Sequence, residues 1–541
     1  MDVITAILEF FQNASKESFL KFWNTAPLTD SAFWQTFWDS LWTREGAMNL
    51  LSYTFWVFLV ICAFFYYLFP KKVKPVWLLI CSYAFYLYDR SGLQMVTLLI
   101  GTTAITYFSA LAISRLKNLW ARRAFLLLSV CTSGGILFYY KYANFLSQTW
   151  ADIWGAFGIT LKASVIDLPV VLGLSFFTFQ SLGYVIDVYQ NVVPVEKNPI
   201  YYALYVSFFP CITSGPIERA GHLLPQFKDP KPFNYNKVVG GLYRILWGVF
   251  KKMVLAGNMD LFTREIFTNM EKYPGWLLGA AALVFSYQLY LDFSGYCDIA
   301  IGAGKALGFD LLENFNRPFA GRSYTQLWDR WHISLTTWFR DYIFTPLSFY
   351  NRGLSGVFGK LQGWFNVFII FPISGLWHGD NFGYIVWGVL NGLFMVVGKA
   401  TAKKRRKWAK KNPLYRSKFS QAVIQCSCVY LLFTICIVFF AASYYGQTAG
   451  DGIYLFTHLF STQGNGDLIA LFCQKLELSS LTLRFLVVGS LFVELMEKWG
   501  KPDVVIRKLW MPARWIIYYA LVLSLLLFAN FGASGFVYGT Y

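Results

Sequence analysis

The sequence predicts an all-α polytopic membrane protein, and three observations carry that expectation. Of its 541 residues 56% are hydrophobic and only 14% charged, against roughly 25% charged in soluble domains. Apolar runs near the ~20 residues needed to cross a bilayer recur along the chain. Lysine and arginine total 47 against 29 acids, a formal charge of +18, and the cations cluster between the apolar runs. These features exclude a water-soluble globule. They also argue against nucleic acid as a partner, because no nucleic-acid motif surrounds the basic clusters. An excess of this kind orients spans and meets anionic lipid.

Residues 1–45 mix charges with many aromatics, as in Phe19-Leu20-Lys21-Phe22-Trp23, and contain no run long enough to span. They read as an amphipathic, extracytoplasmic interfacial segment. Residues 46–541 read as one polytopic domain, with apolar stretches near 50–69, 75–89, 93–113, 122–146, 165–190, 236–257, 276–305, 363–379, 383–399, 420–444, 482–497 and 514–533, which predicts about eleven to thirteen membrane helices. The basic clusters at Lys71-Lys72-Val73-Lys74, Arg115 to Arg123 and Lys403 to Lys418 are expected on the cytosolic side. Helices at 75–89 and 93–113 then form a hairpin whose tip, Asp89-Arg90-Ser91-Gly92, lies outside. The chain opens with neither a basic n-region nor a cleavage site, so the first true span is expected to direct insertion. Segments 199–235 and 315–360 are too polar and too rich in Pro and Gly to span; they are expected as re-entrant or amphipathic pieces surrounded by protein or water. Residues 447–480 read as one exposed loop. Most cysteines fall inside apolar runs, where a thiol behaves as a small hydrophobe, and none has metal-ligand spacing.

Polar side chains are expensive at membrane depth, so their concentration marks a site. Here they gather between about 175 and 380. The 4 histidines are His222, His332, His378 and His458, the side chains that titrate nearest neutrality. His332 lies in Ser323-Tyr324-Thr325-Gln326-Leu327-Trp328-Asp329-Arg330-Trp331-His332-Ile333-Ser334-Leu335-Thr336-Thr337-Trp338-Phe339-Arg340-Asp341-Tyr342. Read as one helix, this run puts Thr325, Asp329, His332, Thr336 and Arg340 on a stripe opposite Leu327, Trp331, Leu335, Trp338 and Tyr342. The stripe turns His332 toward water or a polar cavity, with Asp329 and Arg340 near enough to influence its proton affinity. His378 lies in Phe371-Pro372-Ile373-Ser374-Gly375-Leu376-Trp377-His378-Gly379-Asp380-Asn381, bracketed by glycines that permit close backbone approach. A buried histidine tends to stay neutral and can accept a proton; the plainer reading is a hydrogen bond to a neighbouring helix. His222 and His458 read as solvated surface.

Two further patches interrupt the apolar pattern. In Tyr287-Gln288-Leu289-Tyr290-Leu291-Asp292-Phe293-Ser294-Gly295-Tyr296-Cys297-Asp298, Gln288 and Asp292 share a helix face, either as a cavity wall or as interhelical hydrogen bonds. Phe208-Phe209-Pro210-Cys211-Ile212-Thr213-Ser214-Gly215-Pro216-Ile217-Glu218-Arg219 breaks any helix and could turn backbone donors toward a cavity.

Taken in order, six motifs resemble the membrane-bound O-acyltransferase (MBOAT) family, in its bacterial alginate O-acetyltransferase-like and D-alanyl transfer protein-like branch. They are Ser175-Phe176-Phe177-Thr178-Phe179-Gln180, Ser214-Gly215-Pro216-Ile217, Asp292-Phe293-Ser294-Gly295-Tyr296-Cys297-Asp298-Ile299-Ala300, Asn314-Phe315-Asn316-Arg317-Pro318-Phe319, Arg330-Trp331-His332-Ile333-Ser334-Leu335 and Gly375-Leu376-Trp377-His378-Gly379. Alanine is commoner than Ser214 at its position. The matching core covers about 170–400. The resemblance implies a multi-helix bundle around a central tunnel, with His378 as the principal catalytic residue and His332 as its partner. Candidate tunnel-lining residues are Asp329, Arg330, Ser334, Thr336, Arg340, Asp292, Gln288, Trp377 and Asn316, and no metal is expected.

The implied activity moves an acyl group, acetyl being favoured, from a cytosolic thioester to an extracellular polysaccharide, by a multi-pass protein of the bacterial cytoplasmic membrane. His378 acts as base, and His332 positions a reactant or polarises the thioester carbonyl. A relay through an acyl-histidine is the other route. No tightly bound cofactor is expected; the donor is acetyl-coenzyme A or a phosphopantetheinyl carrier-protein thioester. The implied partners are membrane lipid, a glycan acceptor and an extracytoplasmic SGNH-type transferase. The alternative within the family is D-alanyl transfer to teichoic acid from a carrier-protein thioester. The alternative from another class is a transporter or flippase without chemistry, which calls for inverted repeats that the sequence does not display.

Overall fold

The computed structural model describes residues 50–530 other than 89–91, 169–170, 214, 351–352, 354, 465, 468–470, 472–475 and 477–479. The expected interfacial segment 1–45, most of the hairpin tip and Ser214 lie outside the described residues. Among those residues the fold is all helix and holds no strand.

The chain opens with α1 (Tyr53–Leu68), α2 (Lys74–Leu87) and α3 (Gly92–Arg115). Ser52 caps α1 by accepting the Phe55 N–H, and Pro75 sits in the first turn of α2, where its missing donor costs nothing. Asn118 starts α4 (Leu119–Ala156) by accepting from Trp120 and Ala121, and α5 (Leu174–Tyr189) follows. The Pro-rich stretch from 199 folds as expected into short pieces, α6 (Pro199–Ser207), α7 (Phe209–Ile212) and α8 (Ala220–Lys228). α9 (Tyr235–Val249) runs through a π-helical segment, Phe250–Ala256, into α10 (Gly257–Thr268). α11 (Gly275–Ala306) crosses the centre. The second irregular stretch gives α12 (Tyr324–Trp328), α13 (Ile333–Phe339), a π-helical segment Arg340–Phe344 and α14 (Thr345–Tyr350). Then come α15 (Gly356–Phe368), α16 (Ile370–His378), α17 (Phe382–Lys411) and α18 (Lys418–Tyr444). The last are α19 (Ala449–Thr457), α20 (Ser480–Lys498), α21 (Pro502–Lys508) and α22 (Met511–Phe528).

Among the described residues seven helical stretches are long and apolar enough to cross a membrane: α3, α4, α11, α15 with α16, α17, α18 and α22. The protein is therefore a multi-pass membrane protein. The segment expected as one loop at 447–480 instead opens with α19. The Thr448 side chain accepts the Asp451 N–H while the Asp451 carboxylate accepts the Thr448 N–H at 2.8 Å, a capping box that overrides the flanking glycines.

The core forms where α9 lies against α11. Residues 288–304 of α11 are all buried, as befits a helix apolar nearly all round. Gly241 and Gly248 on α9 meet Gly302 and Gly295 on α11. A Cβ on Gly241 would stand 2.6 Å from the Gly302 carbonyl oxygen, and one on Gly295 would stand 2.8 Å from that of Gly248. Glycine at both crossings lets the backbones touch, as small residues do between membrane helices.

Candidate active site

His378 is the last residue of α16, and two glycines bring that helix onto its neighbour. A Cβ on Gly375 would collide with the Tyr384 carbonyl of α17, and one on Gly388 with the Phe371 carbonyl of α16. The close crossing sets Trp387 of α17 edge-on against the His378 ring, with centroids 4.9 Å apart, and Phe440 of α18 stands 5.2 Å away. His378 is 5% exposed.

His332 arrives by a different route from the continuous helix expected. α12 ends at Trp328, and the chain turns before α13 begins at Ile333. His332 itself is left-handed, with φ +43°, and is one of three such non-glycine residues described, with Asn191 and Arg317. A non-glycine residue in this region costs about 1–3 kcal/mol and persists only where surroundings hold it. Here the 314–316 segment does so: Asn314 accepts the Ile333 N–H on its carbonyl at 2.9 Å and the Ser334 N–H on its side chain at 3.1 Å. Arg330 and Asn316 are joined by a backbone hydrogen bond of 3.1 Å. The Ser334 hydroxyl in turn accepts the Ile217 N–H at 3.0 Å, tying in the broken segment after α7. The His332 ring meets Phe293 of α11 at 4.7 Å and Trp377 at 6.0 Å.

Both histidines line one cavity of about 40 Å³, with Trp328, Trp331, Leu335, Phe339, Ile370 and Phe371 and the hydroxyl-bearing Thr336 and Ser374. Trp377 packs beside it, 4.8 Å from the His378 ring. On the other face of the 314–317 segment lies a polar cavity of about 240 Å³, lined by Asn316, Arg317, Arg244 and Lys501 among others.

Several expected site residues fall elsewhere. The break at His332 rotates Asp329 and Arg340 out to exposed positions, and Arg340 pairs with its neighbour Asp341 at 3.2 Å. Neither lines the histidine cavity, so the tuning role expected for them does not hold. Arg330 reaches the Asn316 carbonyl at 3.3 Å, and Ser334 serves the loop rather than the cavity. Of the two readings of Gln288 and Asp292, interhelical bonding fits. Gln288 donates to Asp260 at 3.0 Å beside Tyr445, Asp292 pairs with Lys252, and neither lines this cavity. The aromatic walls and Asn314 were not among the expected site residues, although Asn314 opens one of the six motifs.

The other histidines stand apart. His458 stacks on Tyr454 at 3.8 Å. His222, expected as solvated surface, is only half exposed and holds the buried Glu218 carboxylate at 2.8 Å. That hydrogen bond raises the His222 pKa above its usual ~6.5, with partial desolvation opposing it. A raised folded-state value means the contact stabilises fully below about pH 6.5 and is lost as pH rises through the folded value. Solvent screening keeps the effect small. His222→Ala is therefore expected to lower the unfolding temperature in detergent more at pH 6 than at pH 9; an equal loss at both would show that the pair is not ionised.

Fold and site together define an all-α multi-pass membrane protein whose polar centre is a pair of histidines facing one buried cavity. Residues 190–443, which include both histidines, match the membrane-bound O-acyltransferase family, MBOAT. It is 36% identical over 312 residues to the probable alginate O-acetylase AlgI of Pseudomonas aeruginosa, covering 57% of this chain and 58% of that protein. The peptidoglycan O-acetyltransferase of Helicobacter pylori is 33% identical over 345 residues, 58% and 63% of the two chains. The teichoic acid D-alanyltransferase of Bacillus subtilis is 28% identical over 250 residues, 44% and 62%. The match thus spans 58% to 63% of the length of these curated relatives.

Proposed function

We propose that this protein is an O-acyltransferase of the bacterial cytoplasmic membrane that takes an acetyl group from a cytosolic thioester for O-acetylation of an extracytoplasmic polysaccharide. The observation that carries the reading is the small aromatic cavity shared by His332 and His378. A hydroxyl attacks a thioester poorly unless a base takes its proton. In this reading the His378 imidazole accepts that proton as the hydroxyl oxygen bonds to the acyl carbon. The tetrahedral intermediate then collapses, the carbon–sulfur bond breaks, and the departing thiolate recovers the proton from His378. His332 orients a reactant or polarises the carbonyl. The donor is acetyl-coenzyme A or a phosphopantetheinyl carrier thioester, and a separate SGNH-type transferase outside the membrane completes delivery to the glycan.

The relatives divide between acetyl and D-alanyl transfer, and the cavity favours the first. D-alanyl is larger and carries an ammonium, for which no carboxylate stands among the lining residues, and an unpaired charge in an apolar site is costly. The test supplies the purified protein in proteoliposomes together with its SGNH-type partner transferase, radiolabelled acetyl or D-alanyl carrier thioester, or acetyl-coenzyme A, and extracted surface polysaccharide. Label on the glycan from acetyl alone is expected. Label from D-alanyl alone would move the reading to teichoic acid, and no transfer from any donor would end the acyltransferase reading. Widening the wall by Phe371→Ala is expected to raise propionyl use relative to acetyl by about tenfold or more, the discrimination one methylene commands.

A further inference from the structure

We propose that Lys141 is a positioning residue of the histidine centre: its ammonium, brought in from α4, holds the carbonyl end of α16 and with it the ring of His378. Its kinetic consequence rests on the acyltransferase reading; its structural consequence does not. Lys141 lies outside the segment 190–443 that matches the family.

Between Arg123 and Asp152, Lys141 is the only acidic, basic or histidine side chain of α4. That helix is long and apolar enough to span the membrane, and 11% of its apolar window is buried. A lone cation in such a helix must find protein or water, and marks function by default. The Lys141 ammonium donates to the Trp377 carbonyl and sits 5.7 Å from the centre of the Trp377 ring. The adjacent Tyr142 hydroxyl donates to the Leu376 carbonyl.

Those carbonyls belong to the last turn of α16, where intrahelical donors run out. A helix often supplies its own cap by turning left-handed at the next residue, but Gly379 is extended, with φ 179°. α4 therefore provides the cap, and a cation is the favoured group at a helix C-terminus. The consequence for the site is direct, because His378 follows Trp377 in the chain and the Trp377 ring packs near both imidazoles, its centroid 4.8 Å from one and 6.0 Å from the other. His332 and Lys141 are the charged or titratable groups that act on His378, and Asp380, beyond the end of α16, acts on Lys141. Release of the Trp377 carbonyl would free the last turn of α16 and both aromatic contacts made by its indole.

The test places wild type, Lys141→Met, Lys141→Arg and Tyr142→Phe in lipid nanodiscs. Deuterium exchange is followed in the peptide covering 370–380, and kcat and KM are measured with acetyl-coenzyme A, or the acetyl carrier thioester if that is the donor, with the SGNH-type partner and polysaccharide present. Lys141→Met is expected to speed exchange in the last turn by about tenfold, the order for a lost charged hydrogen bond. It is also expected to lower kcat by about tenfold or more, as misplacement of a reacting group does, with KM held within about twofold. Lys141→Arg restores both, and Tyr142→Phe gives a smaller increase in exchange. Unchanged exchange in Lys141→Met, or failure of arginine to rescue, would overturn the assignment. If wild type transfers no acetyl, the acyltransferase reading fails while exchange still decides what Lys141 holds. Should Lys141→Met fail to fold, Lys141→Gln replaces it, removing the charge while keeping a donor.

Discussion

Replacing His378 with alanine is expected to lower O-acetylation by about 10²–10⁴-fold, the range that general-base catalysis commands. The expectation follows from how little else in the cavity can take a proton. Its lining residues hold two imidazoles and two hydroxyls beside indole N–H groups that only donate, and the aromatic rings of Trp377, Trp387 and Phe440 pack around His378. His332→Ala is expected to fall by less, since orienting or polarising a reactant is worth part of the barrier rather than the proton transfer itself. It also removes the side chain at a left-handed position, so His332→Asn, which tolerates that conformation, separates loss of the ring from loss of the turn. The measurement is O-acetyl content of cell-surface polysaccharide at matched membrane abundance. Equal collapse in both would favour two histidines acting as one unit, or an acyl-histidine relay. No change in either would remove the acetyltransferase assignment.

The contrast between these histidines shows what the sequence could and could not reveal. Long apolar stretches foretold the positions of α3, α11 and α18 to within several residues, and the start of α17, because span length is a property of the bilayer rather than of tertiary contacts. His378 was legible for the same reason, as a polar residue stranded in such a stretch. The path to His332 was not. A periodic pattern from Ser323 to Tyr342 suits a continuous helix, and what interrupts it is a pair of hydrogen bonds that Asn314 accepts from the Ile333 and Ser334 N–H groups, stabilising one left-handed residue. Such nonlocal compensation leaves no trace in periodicity, and it carried Asp329 and Arg340 away from the site. Gln288 and Asp292 were visible as polar interruptions, but their partners Asp260 and Lys252 lie on another part of the chain. What Lys141 holds leaves no signal in the sequence, because its helix reads as an ordinary span and its target lies more than two hundred residues away.

Replacing Arg244 with leucine is expected to destabilise the protein by about 3–5 kcal/mol, the cost of breaking a buried ion pair from one side. Arg244 is 7% exposed and contacts three acids. Its side chain bonds Asp298 of α11 at 2.7 Å and Glu313 at 2.8 Å, and reaches Asp503 of α21 at 3.4 Å. The surrounding cations are Lys251, 2.7 Å from Asp298 and 3.0 Å from Glu497 of α20, Lys501, 2.6 Å from Glu313, and Lys305, paired with Asp503. Four cations thus face four acids, and the cluster ties α20 and α21 to the α9–α11 core. Loss of the guanidinium leaves Asp298 beside Lys251 alone, while the remaining carboxylates repel at low dielectric. Arg244→Lys keeps the charge but not the planar fork that serves several carboxylates at once, so an intermediate loss is expected. Because the same cluster lines the polar cavity behind Asn314 and Asn316, both variants are also expected to loosen the loop that holds His332 left-handed. Thermal unfolding in detergent measures the first effect and residual acetyl transfer below the transition the second; a leucine variant as stable as wild type would show that the cluster contributes specificity of packing rather than stability.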